Sequence, residues 1–381
     1  MKKDSKQLGW LLCGTAIAMI PAYFMRFTES SYMYFYNAFT TYPGDLWNFF
    51  TNYLGKGLQY PPEYPAGLRF FYEMMGFYRY DNYTLFFTVN TLILGTVAIA
   101  TTYLLYSMLK KRAAASGMSF SSRSMWIFWI LAPTFMFYGT VNYDIPIVFL
   151  ILLSVYLYSE EKYYSSIFWL AVGMVAKVFP VFLLPLFIWR APKTLRLRMI
   201  MLFGAVVLIL NLPYMLMDFH AWIYPYLWQI SSNLTTGMDQ GTYWWIVYPI
   251  AGRLTGWLSL GIFGGLYFLI CRKMKNGRFF DQCLAVIILF LLTDRIYSPQ
   301  YTLYLLPFLA LASFPISKKV FYSIDIPNVL LVLFLFYLKA HPLYLQTLVF
   351  FRYGALILVL MQVVRMSKDV PISNLETPAA R

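Results

Sequence analysis

Apolar runs of roughly 15 to 20 residues follow one another along almost the whole chain, each long enough to cross or nearly cross a bilayer as a helix. A water-soluble fold has nowhere to bury so much apolar surface. Of the 381 residues, 60% are hydrophobic and 12% are charged, and mean hydropathy is +0.60. An ordinary soluble domain carries about twice that share of charge. The chain therefore reads as an all-α, polytopic integral membrane protein. Residues 1–381 form one membrane domain, because no segment is hydrophilic enough to fold apart in water.

In a soluble protein the net charge of +14 would suggest a nucleic-acid partner. Here the cations sit in short clusters between apolar runs, the mark of cytoplasmic loops, so the expected partner is the lipid bilayer and not nucleic acid. The basic start, Met1-Lys2-Lys3-Asp4-Ser5-Lys6, places the N-terminus in the cytoplasm. The apolar run after it is long and lacks a clear small-residue cleavage site, so it reads as a first span over residues 8–27 and not as a signal peptide. Further spans are expected at 83–109, 124–139, 145–158, 199–217, 244–270 (with a start that can be re-entrant), 282–292, up to 314, up to 338, and ending at Arg365. Cys13, Cys271 and Cys283 have no motif spacing and read as packing residues.

Residues 163–189 pose a parity problem. They follow Glu160-Glu161-Lys162 and run into the basic stretch from Arg190 to Arg198, so both flanks are cytoplasmic. One straight span cannot begin and end on the same side, but two short helices can. The break falls at Ala176-Lys177-Val178-Phe179-Pro180, where proline removes a donor and disfavours helix in the residue before it. Each arm has about 13 residues, or ~20 Å of helix, against a hydrocarbon core of ~30 Å. The tip with Lys177 would sit in the outer leaflet or an outward-facing cavity. With this hairpin every strong basic cluster falls on one side, giving about twelve transmembrane helices and cytoplasmic termini.

Two long outer segments stand out, 28–82 and 218–243. Loops of that length between packed elements are uncommon unless they are functional. The first carries Tyr42-Pro43-Gly44-Asp45 and Tyr60-Pro61-Pro62-Glu63-Tyr64-Pro65. Asp45 reads either as a general base at the membrane surface or as the N-cap of a short interfacial helix. Tyr60, Glu63 and Tyr64 either line a sugar or lipid site or belong to a rigid extended stretch. Charge in or near the hydrocarbon core marks function by default, and Asp144, Lys177, Asp294, Arg295 and His341 all fall in the outer half with Asp45. Lys177 either snorkels or, with the amides freed at a broken helix, holds an anion. Arg295 either pairs with Asp294 or joins Lys177 on a phosphate, with Ser298, Gln300 and Tyr301 as hydrogen-bonding partners. Asp144 can equally be turn chemistry, and His341, before Pro342, a plain loop histidine. No nucleotide-binding glycine pattern, paired zinc histidines or Asp-x-Asp dyad is present. No cofactor and no metal are expected.

In this order the residues resemble the glycosyltransferase-C superfamily, and within it the polyprenol-phosphate-mannose-dependent mannosyltransferases of glycosyltransferase family 87. Four short elements carry the resemblance: Gly44-Asp45 with Tyr60-Pro61-Pro62, then Val141-Asn142-Tyr143-Asp144, then Lys177-Val178-Phe179-Pro180 with its flanks, and Ser298-Pro299-Gln300-Tyr301 with Leu305-Leu306-Pro307. The resemblance implies inverting transfer of a hexose, mannose in that family, from a polyprenyl-phosphate sugar to a glycan or glycolipid acceptor. It implies Asp45 as base, Lys177 and Arg295 to Tyr301 near the donor phosphate, and an active site outside the plasma membrane of a prokaryote. The first loop lacks a second acid beside Asp45, unlike metal-assisted members of the superfamily. A lipid or solute transporter and a lipid-linked oligosaccharide polymerase or ligase are the competing expectations. Internal repeats would favour the former and arginine-rich outer loops the latter.

Overall fold

The computed structural model describes residues 2–24, 65–67, 70, 83–116, 120–140, 143–231, 241–252, 254–332 and 342–366. All regular structure among them is helical. In chain order the helices are α1 (Lys2–Ala18), α2 (Ile20–Phe24), α3 (Tyr83–Ala115), α4 (Arg123–Met125), α5 (Pro133–Tyr138), α6 (Asp144–Ser159), α7 (Tyr163–Ala176), α8 (Leu184–Arg190), α9 (Lys193–Met217), α10 (Phe219–Ser231), α11 (Trp244–Ala251), α12 (Leu254–Lys273), α13 (Phe279–Thr293), α14 (Leu306–Ala310), α15 (Lys318–Val332) and α16 (Pro342–Met366). A π-helical turn spans Trp126–Ile130, and 3-10 turns span Phe179–Leu183 and Pro299–Tyr304.

Among the described residues, five helical segments are long and apolar enough to cross a membrane: Asp4–Phe24, Thr84–Ala115, Lys193–Met217, Leu254–Lys273 and Leu343–Met366. Shorter apolar helices lie inside them, and α13 is the central one, its side chains buried on every face. A helix apolar all round belongs in a core. The longer helices instead expose apolar faces, such as Leu208, Ile209 and Leu216 on α9 and Phe350, Phe351 and Leu358 on α16. Lipid is the medium that covers such surfaces.

The bundle has two chemically distinct ends. At one, Asp4 pairs with Lys110 at 3.0 Å, Lys111 pairs with Glu160, Arg112 donates to the Leu311 carbonyl, and Gln362 donates to the Pro315 carbonyl at 3.1 Å. Arg190 reaches the Lys275 carbonyl at the same end. The basic clusters, scattered in sequence, are thus gathered at one end of the bundle, as the parity argument requires.

The hairpin is built as α7, an extended Lys177 (φ −154°, ψ 134°), the first 3-10 turn and α8. α7 lies antiparallel to α6, where Ser154 and Ser166 exchange side chain-to-backbone hydrogen bonds of 2.7 and 2.8 Å. Tyr158, near the end of α6, has the rings of Tyr163 at 5.1 Å and Phe187 at 4.8 Å. The first and last turns of segment 163–190 therefore meet at the basic end, while Lys177 reaches Asp144, the first residue of α6, at the far end.

Other expected spans depart from straight helices. Segment 124–139 is broken by the π-helical turn and by Pro133, which starts a new short helix, α5. Segment 299–314 is a 3-10 turn and the five-residue α14, because Pro299 and Pro307 each withhold a backbone donor. Segment 218–243 is not irregular at its start: Asp218 caps α10 by accepting from the Ala221 amide at 2.9 Å. Within 244–270 helix α11 ends at Ala251 and Gly252 follows with a left-handed φ of 51°, which suits glycine.

Candidate functional site

Three segments distant in sequence meet at the hairpin tip. Lys177 becomes available there because helix α7 stops at Ala176 and the chain turns extended before Pro180. Its Nζ lies 2.5 Å from Asp144 Oδ1. The Asp144 side chain is wholly buried, and that of Lys177 is 14% exposed. The 3-10 turn Pro299–Tyr304 supplies the third component. The Tyr304 hydroxyl donates to the same Asp144 oxygen. The Tyr301 ring lies 4.8 Å from Lys177 Nζ and the Tyr304 ring 5.9 Å from it. Tyr304 stacks on Phe179 at 4.5 Å, so the turn is keyed to the residue two past Lys177.

Asp144 Oδ2 is buried and has no hydrogen-bond partner among the described residues. A buried oxygen left unpaired costs free energy, and the ammonium and a phenol on the other oxygen offset part of that cost. Lys177 spends one of three N–H donors on Asp144. The tip is therefore a compensated pair with spare hydrogen-bonding capacity on both partners.

The first long loop touches this tip. Ala66 packs with Val175 and Tyr214 in a small apolar cluster. A Cβ placed on Gly67 would come within 2.8 Å of the Ala176 amide nitrogen and 2.9 Å of the Val175 carbonyl carbon, so only glycine allows the loop to lie this close to the end of α7. Ala66 and Gly67 directly follow the Tyr60–Pro65 stretch in sequence.

Of the other expected site residues, Ser298 and Gln300 are buried, and the Ser298 hydroxyl donates to Gln300 Oε1 at 2.5 Å. Arg295 is buried, its carbonyl accepting from the Thr242 hydroxyl at 3.2 Å. The expectation that Arg295 and Lys177 share a phosphate concerns a bound ligand and stays a proposal. Asp45, Tyr60, Glu63, Tyr64 and His341 lie outside the described residues.

The structure adds residues that the sequence reading does not single out. Tyr304 is one. A second group joins α5, α15 and α16. Asp325 Oδ2 accepts from the Thr134 amide at 3.2 Å, capping the helix that Pro133 begins. Asn328 donates to Thr134 Oγ1 at 2.9 Å and to the Pro299 carbonyl at 2.8 Å, and accepts from Arg352 at 2.9 Å. Arg352 is fully buried, donates to the Gly241 carbonyl, and lies 3.7 Å from the centre of the Tyr297 ring. Among the described residues no carboxylate forms an ion pair with it. Polar side chains inside apolar runs were the available signal for all three. Their effect is to hold Pro299, and with it the turn bearing Tyr301 and Tyr304, against the second outer segment at Gly241.

No family model, no curated protein and no solved structure matches the chain.

The resemblance to glycosyltransferases thus rests on the four short elements alone. The chemistry of the tip stands independently: a fixed cation, a buried acid with one free oxygen, and two phenols at the end of the bundle opposite the basic clusters.

Proposed function

We propose that this protein is an integral-membrane glycosyltransferase with about twelve spans and a glycosyltransferase-C-like arrangement. It transfers a hexose, with inversion, from a polyprenyl-phosphate sugar to a lipid-linked or glycan acceptor on the extracytoplasmic side. The observation that carries this reading is convergence on Lys177. Asp144, the Pro299–Tyr304 turn and the first loop through Ala66 and Gly67 all meet there. Asp144, Lys177 and the Pro299–Tyr304 turn belong to three of the four elements on which the resemblance was drawn, and Ala66 and Gly67 follow the Tyr60–Pro65 stretch in sequence.

In this reading Asp144 and Tyr304 fix the Lys177 side chain, leaving two ammonium N–H groups for an incoming phosphate oxygen. As the sugar–phosphate bond breaks, negative charge grows on the leaving phosphate. A positioned cation in a water-poor site stabilises it far better than bulk water does. An acceptor hydroxyl needs a base to attack, and a positioned carboxylate contributes roughly 10²–10⁴-fold. Asp45 in the first loop takes that role. Arg295, Gln300 and Tyr301 serve the donor phosphate with Lys177, and Ser298, Tyr60, Glu63, Tyr64 and His341 are assigned to substrate binding.

The test is turnover of labelled polyprenyl-phosphate mannose by purified protein with a panel of glycan and glycolipid acceptors. Labelled product is expected from the wild type and not from Asp45→Asn, with donor lipid still bound by the variant. Undiminished turnover by Asp45→Asn rejects the base. Absence of product with every polyprenyl-phosphate hexose rejects the reading.

A further inference from the structure

A cavity of about 740 Å³ opens at the basic end of the bundle, remote from the hairpin tip. It lies between α1, the chain around α4 and the start of α15. Lys6, Arg123 and Lys318 line it from three segments separated by more than a hundred residues each, with Ser121, Trp10 and Trp126. Among the described residues no acid lines it. Asp4, the nearest acid in sequence, is engaged with Lys110 instead.

The walls are held by specific packing. Gln7 donates to the Ser122 hydroxyl at 2.8 Å, tying α1 to the loop that carries Arg123. The π-helical turn begins at Trp126, and that ring packs so closely on α1 that a Cβ on Gly14 would meet it at 2.5 Å. π-Turns often mark functional positions. Cations near a membrane surface are ordinary determinants of topology, but most face water. Here three of them border one concavity whose volume suits a small ligand.

The remaining walls say which anion. Trp10, Ile17 and Phe24 are exposed at 69%, 58% and 62%, seven residues apart along α1 and α2. That spacing forms one apolar stripe leading from the cavity along the bundle. A soluble phosphate has no use for such a track, whereas an acyl chain does.

We infer that this cavity binds the phosphate headgroup of an anionic phospholipid, with the acyl chains laid along the Trp10–Ile17–Phe24 stripe. The site is independent of the proposed transferase chemistry and survives if that reading fails. Basic pockets between helices at the cytoplasmic face recognise anionic headgroups through charge and hydrogen bonds.

The experiment uses the full chain in nanodiscs of phosphatidylcholine containing a minor fraction of phosphatidylglycerol, with retained lipid read by native mass spectrometry after detergent exchange. The wild type is expected to retain phosphatidylglycerol selectively. Lys6→Gln/Arg123→Gln/Lys318→Gln is expected to lose affinity on the order of a hundredfold, each surface cation contributing about fivefold. A control triple, Lys193→Gln/Arg198→Gln/Lys273→Gln, removes the same charge elsewhere and should retain the lipid. If the cavity triple does not fold, Lys318→Gln alone should give about a fivefold loss. Equal retention by cavity variants and wild type overturns the inference, as does equal loss in the control triple. A parallel arm with inorganic phosphate should displace no lipid; a wild type that binds phosphate but retains no phosphatidylglycerol also overturns it.

Discussion

Lys177 and Asp144 act on each other before they act on anything else. Removing one member of a buried ion pair leaves an uncompensated charge and costs about 3–5 kcal/mol, whereas neutral replacement of both is often tolerated. Lys177→Ala should therefore lower thermal stability sharply in detergent. Asp144→Asn with Lys177→Met should recover most of that loss. Donor-lipid binding separates structure from function: a charge-assisted hydrogen bond to phosphate contributes roughly 1.5–3 kcal/mol, so both variants should bind donor on the order of ten- to a hundredfold more weakly. A stable double variant with unchanged donor affinity removes Lys177 from the phosphate site. Lys177 itself was visible in the sequence, as a cation stranded between two apolar arms. Asp144 also stands out in the sequence as an outer-half charge, but the pairing does not: Asp144 lies 33 residues from Lys177 and Tyr304 lies 160 from Asp144, separations that no local pattern encodes.

Among the secondary-structure elements, the hairpin and the first loop depend on one close approach. Gly67→Ala places a methyl group where the backbone of Val175 and Ala176 already stands. Backbone cannot move aside as a flexible side chain does, and overpacking of this kind costs about 1–3 kcal/mol. The expected result is reduced turnover together with faster proteolysis of the first loop and little change in global unfolding temperature. Turnover and loop protection equal to wild type would show that the loop need not rest on α7. The break at Lys177 follows from sequence because Pro180 withdraws a donor and both flanks are cytoplasmic by charge. The breaks at Pro133 and Pro299 are harder to read. A proline near a helix start is compatible with a continuous or an interrupted span, and what distinguishes the two is whether another helix supplies partners. Asp325 does so for the Thr134 amide, and Asn328 does so for the Pro299 carbonyl.

For the whole bundle, the gathering of basic groups at one end makes sidedness testable. In a background lacking Cys13, Cys271 and Cys283, Ser317→Cys lies at the basic end and His220→Cys beyond the opposite end of α9; both positions are exposed. A membrane-impermeant maleimide should label His220→Cys on intact cells and Ser317→Cys only after permeabilisation. Labelling of both from outside would overturn the orientation and with it the extracytoplasmic active site. Membrane residence, helical class and the grouping of cations were readable from the chain because they depend on composition and on charge placed next to apolar runs, quantities that are local and additive. Which buried polar groups share a partner depends on distances across the bundle. Arg352 shows the difference: in sequence it is one cation in an apolar run, and packing alone sets it against Asn328, Gly241 and the Tyr297 ring. Hydropathy is a sum over neighbours in the chain, whereas a hydrogen bond is a meeting of two atoms in space, and only folding brings those atoms within reach.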